Sequence, residues 1–217
     1  MPRLVDLSHP ISHGMVTYPG LPGPVVSDFL GREASRGHYT EGTTFQIARV
    51  RMVVNTGTYV DAPFHRFAGG KDIGSLPLDR LADLPGVVVD GGPGRAVDAA
   101  RFFGLELSGK AVLVRTGWDT RWGAAEYFEG HPHLTRAAAE HLASAGPALV
   151  GIDSLNIDDT GDGVRPAHTL LLDAGIPIVE HLCGLGALPG SGFRFHAVPA
   201  PFQGVGSFPV RAYAVLP

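Results

Sequence analysis

Apolar residues come in short blocks along this chain rather than in long helical periods. Residues 3–7 form a short apolar segment closed by Ser8-His9-Pro10, and residues 45–59 alternate polar and apolar side chains through Gln46, Ile47, Ala48, Arg49, Val50, Arg51, Met52 and Val53. A two-residue period is the mark of a strand, so both segments are predicted as strands. Residues 87–90 and Ala111–Arg115 are brief apolar runs bounded by glycine, and 148–152 is a third that ends in Asp153-Ser154. Such runs predict buried strands of a central sheet. Helix signals are fewer. Residues 135–144 have an alanine-rich, helix-forming composition with Thr135 placed to cap it, and 166–174 read as a second helix closed by Gly175. The fold class expected is α/β, as a single domain over residues 1–217.

Composition sharpens this picture. The chain has 217 residues, of which 30 are glycine and 18 proline, about 22% against roughly 12% in average usage. Many turns are therefore expected, and the N-terminal third, with Gly14, Pro19, Gly20, Pro22, Gly23 and Pro24, reads as a loop over a pocket or a neighbouring subunit. The 17 Lys+Arg and 21 Asp+Glu are scattered, giving a net charge of -4 without a basic cluster. Nucleic acid and anionic membrane surfaces are thereby poor partners, and a small molecule is a better one. No run of about 18 apolar residues and no apolar leader occurs, so a cytoplasmic location is expected. The single cysteine, Cys183, excludes an intrachain disulfide framework and any multi-thiolate zinc site, and its apolar surroundings predict an inert thiol.

The densest chemistry lies in Asn55-Thr56-Gly57-Thr58-Tyr59-Val60-Asp61-Ala62-Pro63-Phe64-His65. If 53–61 is extended, Asn55, Tyr59 and Asp61 point to one face, with Gly57 leaving room between them. Pro63 ends the strand, and the turn after it can bring His65 back to that face.

On this segment the sequence resembles the cyclase family that includes bacterial kynurenine formamidase and isatin hydrolase, whose hallmark reads His-x-Gly-Thr-His-x-Asp-x-x-x-His. The resemblance runs in order through Asp6-Leu7-Ser8-His9-Pro10-Ile11, Tyr18-Pro19-Gly20, Arg115-Thr116-Gly117-Trp118, Gly151-Ile152-Asp153-Ser154-Leu155, Pro166-Ala167-His168 and Gly175-Ile176-Pro177-Ile178-Val179-Glu180. It implies a swivelling β/β/α domain with a mixed central sheet, usually a homodimer or homotetramer. It also implies a divalent-metal site, and it places the family's aspartate on Asp61, its later histidine on His168, its glutamate on Glu180 and the last motif histidine on His65. Two ligand positions depart from the pattern: they hold Asn55 and Tyr59.

An asparagine amide is a weak donor for zinc or manganese, and a phenol must first lose a proton with pKa about 10. The first metal position is expected to be lost, leaving either no metal or one zinc or manganese ion on Asp61, His168 and Glu180. The resemblance then implies an enzyme acting on a small carbonyl compound: an amide, cyclic amide or lactone hydrolase, or a cyclase/dehydratase. His65 is expected to move protons, Asp61 and Glu180 to serve as bases or ligands, and Tyr59 to polarise a carbonyl. Phe64, Phe67, Tyr18 and Trp118 are candidates for an aromatic wall. A metal-dependent arylformamidase and an inactive ligand-binding relative are the alternatives. Asp153 is expected to shape a loop, His9 to be structural, and His131, His133 and the 158–163 segment to lie in exposed loops.

Overall fold

The computed structural model describes residues 2–217. Thirteen strands and two α-helices follow one another as β1 (Arg3–Asp6), β2 (Val25–Leu30), β3 (Ile47–Arg51), β4 (Tyr59–Asp61), β5 (Leu84–Asp90), β6 (Ala96–Val97), β7 (Ala111–Arg115), β8 (His133–Leu134), α1 (Arg136–Ala145), β9 (Leu149–Ile152), α2 (Pro166–Asp173), β10 (Ile178–Glu180), β11 (Ser191–His196), β12 (Ser207–Pro209) and β13 (Tyr213–Leu216). Nine strands make one sheet in the order β1-β13-β11-β5-β7-β9-β10-β4-β12. Its centre, β5-β7-β9-β10, is parallel, and the flanking pairs are antiparallel. The mixed central sheet and the minority of helix agree with the expected fold class. No helix among the described residues is long and apolar enough to cross a membrane.

Alternation along the central strands sorts the core into two layers. Val112, Val114, Val150, Ile152 and Ile178 face one side, where they pack with Leu142 of α1 and Leu171 of α2. Leu113, Leu149 and Val179 face the other, against Leu7, Phe193 and Phe195. Both faces of the parallel strands are thus buried, which is why those segments lack polar alternation. Thr135 caps α1, its Oγ1 accepting from the Ala138 N–H at 3.1 Å, and Gly146 ends the helix at φ +67°.

The 45–59 segment does not form one strand. Only Ile47–Arg51 is extended there, paired with β2 as an outlying ribbon, and the chain turns through residues 52–58 before β4 begins at Tyr59. The turn is forced by Gly57, whose φ is +67° and whose added Cβ would lie 2.9 Å from Ile11 Cγ1. The C-terminal strands β11, β12 and β13 and the short β10 complete the sheet, although their residues carry weak strand signals.

Candidate functional site

The sheet register brings the candidate residues together. Tyr59 and Asp61 alternate with Val60 on β4, and β10 runs antiparallel beside it with Glu180 opposite Tyr59 and Ile178 opposite Asp61. On the other side β12 sets Ser207 opposite Asp61. Ile178 faces the layer containing the two helices, so Tyr59, Asp61 and Glu180 face that layer too. There α2 supplies His168 from its first turn. Pro63–His65 winds into a 3₁₀ turn that returns His65 to the same spot. The residues converge although 53–61 is not one extended run.

Asp61 and Glu180 are fully buried, His168 nearly so, and His65 is 37% exposed at the mouth of the site. His168 Nε2 lies 3.7 Å from Asp61 Oδ2 and 3.6 Å from Glu180 Oε1, too far for hydrogen bonds. Its other ring nitrogen is 2.7 Å from Asp158 Oδ2, and the same carboxylate accepts from the backbone N–H groups of Ala167 and His168. Asp158 therefore caps α2 and orients the imidazole together. Burial alone would lower the pKa of His168, but Glu180, Asp158 and Asp61 around it reverse the balance and raise it to about 10. Burial pushes the Glu180 carboxyl up, to about 7, while His168 pulls it down and Asp61 repels it upward.

Tyr59 donates its phenolic proton to Glu180 Oε2 at 2.5 Å. Burial, then the neighbouring Glu180 charge, holds that phenol well above its ordinary value, so it stays a neutral donor. Glu180 Oε1 accepts from the Ile157 N–H at 2.8 Å. On Asp61, Oδ1 accepts from the Ser207 hydroxyl, which also lies 3.0 Å from His65 Nδ1 and 3.2 Å from Asn55 Nδ2. Because the Ser207 proton goes to Asp61, its oxygen accepts from His65 Nδ1–H, and the imidazole lone pair is left on Nε2.

Asp61 Oδ2 is buried without any hydrogen-bond partner, an arrangement that costs stability unless something else binds there. Two donors each about 2.1 Å from a tetrahedral metal are ~3.4 Å apart, close to the 3.6 and 3.7 Å separations around His168 Nε2. The donor set of one imidazole and two carboxylates suits a divalent cation. A second trio is also close: Asp61, His65 and His168 offer ligand atoms that all lie within 4.8 Å of one another. The residues present fit a metal ion.

Tyr59, His65, His168 and Glu180 line a cavity of about 370 Å³ together with Tyr18, Leu21, Asn55, Arg66, Asn156 and Arg165. The N-terminal loop thus covers this chain's own pocket through Tyr18, whose hydroxyl donates to the Leu155 carbonyl at 2.6 Å. Of the expected aromatic wall only Tyr18 is present. Phe64 is exposed, Phe67 opens onto another cavity, and the Trp118 indole N–H is turned to the Tyr127 carbonyl.

Two expectations about exposed loops need correction. Asp158 is fully buried, because α2 needs a cap and His168 a partner, and only the following residues reach solvent. His131 is buried too, its Nε2 3.3 Å from the Thr160 hydroxyl. Asp153 does shape a strand end, accepting from the N–H groups of Thr116 and Gly117. Ser207, Asn156 and Asp158 are site residues that sequence reasoning missed. Their only early signal was that Asn156 and Asp158 follow the apolar run of β9, where strand ends often carry polar groups.

Comparison with known proteins fits this geometry. The Cyclase family profile matches residues 5–159. The chain belongs to the Cyclase family. Kynurenine formamidase from Bacillus cereus is 29% identical over 220 residues, spanning 96% of this chain and 95% of that one. A structure described as a potential metal-dependent hydrolase with cyclase activity superposes with a TM-score of 0.81 at 26% identity, covering 99% of this chain and 98% of the other. Isatin hydrolase A from Labrenzia aggregata shares the fold, with a TM-score of 0.83 at 22% identity over 99% and 94% of the two chains. This cyclase-family chain is accordingly an enzyme of the hydrolase type, built on the fold that the resemblance implied.

Proposed function

We propose that residues 1–217 work as one catalytic domain, in the cytoplasm and as a homodimer or homotetramer, on a small carbonyl compound. The reaction is hydrolysis of an amide, cyclic amide or lactone, or the related cyclisation or dehydration, at a site altered to a single metal ion or none. The observation that carries this reading is the facing trio Asp61 Oδ2, His168 Nε2 and Glu180 Oε1, with the Tyr59 phenol and the Asn55 amide standing where the family pattern has histidines.

Zinc or manganese held by Asp61, His168 and Glu180 would act as a Lewis acid toward a carbonyl oxygen and acidify a bound water. The protein's own groups do the rest. Ser207 fixes the tautomer of His65, so Nε2 takes a proton from the attacking water and returns it to the leaving nitrogen or oxygen. Asp61 holds Ser207 and stabilises the imidazolium that forms. Tyr59, whose hydroxyl donates to Glu180 in the free protein, passes that hydrogen bond to the carbonyl oxygen as negative charge develops. Tyr18 and Leu21 exclude water from one side.

The test pairs metal analysis of the purified protein with a turnover screen of N-formylkynurenine, isatin, simple lactones and cyclic imides. At most one metal per chain and hydrolysis of at least one probe are expected, with Tyr59→Phe lowering kcat by about ten- to a hundredfold. Two metals per chain would overturn the altered site. Unchanged turnover in Tyr59→Phe removes its role, and no turnover of any probe favours the inactive ligand-binding alternative.

A further inference from the structure

Two guanidinium groups open onto the same cavity, and neither forms an ion pair with a carboxylate among the described residues. Arg66, next to His65 in the 3₁₀ turn, is exposed and makes no side-chain hydrogen bond or ion pair among the described residues. Arg165 is half-buried immediately before α2, held at φ 51° by the start of the helix. Its Nη1 donates to Asn156 Oδ1 at 3.1 Å, a neutral acceptor. Asn156 Nδ2 in turn reaches the Tyr18 hydroxyl at 2.9 Å and Glu180 Oε2 at 3.4 Å. The Arg165 head is therefore tied to the wall that carries Glu180 rather than left to wander in solvent. Elsewhere Arg95, Arg115, Arg194 and Arg211 are spent on the carboxylates of Asp159, Asp90, Asp83 and Asp6.

We propose that Arg66 and Arg165 form an anion subsite that selects substrates bearing a carboxylate beside the reacting carbonyl. The inference rests on the carbonyl-compound reading for the reacting half of the substrate, while the subsite itself stands on the two unpaired cations. A guanidinium fork matches the planar carboxylate in a bidentate pair. A dianionic phosphate matches the fork as well, but it would meet about twice the repulsion from Glu180, which lines the same cavity. A volume of about 370 Å³ with Tyr18, Tyr59 and Leu21 in its lining admits a body of aromatic-ring size between the two halves.

Calorimetric titration of the full chain with benzoate, benzamide and inorganic phosphate tests this without any turnover. Benzoate is expected to bind at least tenfold more tightly than benzamide and more tightly than phosphate. Arg66→Gln and Arg165→Gln should each shrink that preference, the double variant should abolish it, and Arg165→Lys should keep part of it. Equal binding of benzoate and benzamide, no binding of benzoate, tighter binding of phosphate, or a preference that survives in the double variant would overturn the subsite. The Arg66 side chain makes no hydrogen bond or ion pair among the described residues, so Arg66→Gln decides the matter even if Arg165 variants fold poorly. A benzoate preference in a protein that turns over no carbonyl probe would sink the enzymatic reading alone, whereas turnover without the preference would sink the subsite alone.

Discussion

His9 lies under the indole of Trp122, ring centroids 3.9 Å apart and nearly parallel, with its Nε2 buried and unbonded. His181 is close by, fully buried, its Nδ1 2.9 Å from the Tyr127 hydroxyl. Burial lowers both, His9 to about 4 against the pull of Asp119, and His181 to about 3. Unfolded, each titrates near 6.5, so between 6.5 and about 4 the unfolded chain binds the extra protons. The stability these neutral rings allow is complete above pH 6.5 and is lost progressively as the pH falls toward 4. Thermal melting at pH 7.5 and pH 5 should show the drop, and His9→Phe, which keeps the stack and removes one titration, should shrink it. An equal drop in the variant would exclude His9 as a contributor. At this scale the sequence spoke clearly about Tyr59, Asp61 and His65, because their spacing alone sets them near one another. It was silent about Ser207 and Asn156 and placed Asp158 in an exposed loop, because their hydroxyl, amide and carboxylate acquire meaning only from partners that folding brings to them.

At the scale of elements the site depends on close backbone packing between the His65 turn and the approach to β12. A Cβ added to Gly206 would fall 2.5 Å from His65 Cα and 2.6 Å from its backbone N. Gly206→Ala must push the turn aside, and a cost of about 1–3 kcal/mol is expected in urea unfolding. Gly163→Ala, where a Cβ meets nothing within 4 Å, should change stability by under ~0.5 kcal/mol. Equal effects would show that the turn yields freely. The buried strands β7 and β9 and both helices were legible from apolar runs, a cap and a terminal glycine. The 45–59 alternation misled because period-two patterning continues through a turn that Gly57 imposes. Strands β10 and β12, three residues each, are too short to announce themselves; their neighbours in the sheet define them.

For the whole molecule, the β2-β3 ribbon stands outside the main sheet and is exposed along most of its length. Val26 sits opposite Val50 at 42% and 54% exposure, with Phe29 at 64% and Ile47 at 46% nearby. A lone two-stranded ribbon is marginal in water, and a partner copy in the proposed assembly would cover the exposed Val26-Val50 pair. Light scattering should therefore report a dimer or tetramer, and Val50→Asp should move the population toward smaller species. A wild-type monomer at micromolar concentration would remove the expected assembly. The family membership was visible in motifs running from Asp6 to Glu180, and association was expected only through that resemblance, since surface patches form only when distant strands fold side by side.

The sheet order also constrains how the protein is made. The site needs β4, α2, β10 and β12 side by side, so residues separated by 146 positions, Asp61 and Ser207, must meet. At the other sheet edge β1 pairs with β13, joining the two ends of the chain. A polypeptide leaving the ribosome can build the parallel centre early, yet its site stays open until β12 emerges. A nascent chain stalled before β12 carries Asp61 and His65 without the Ser207 hydroxyl that joins them.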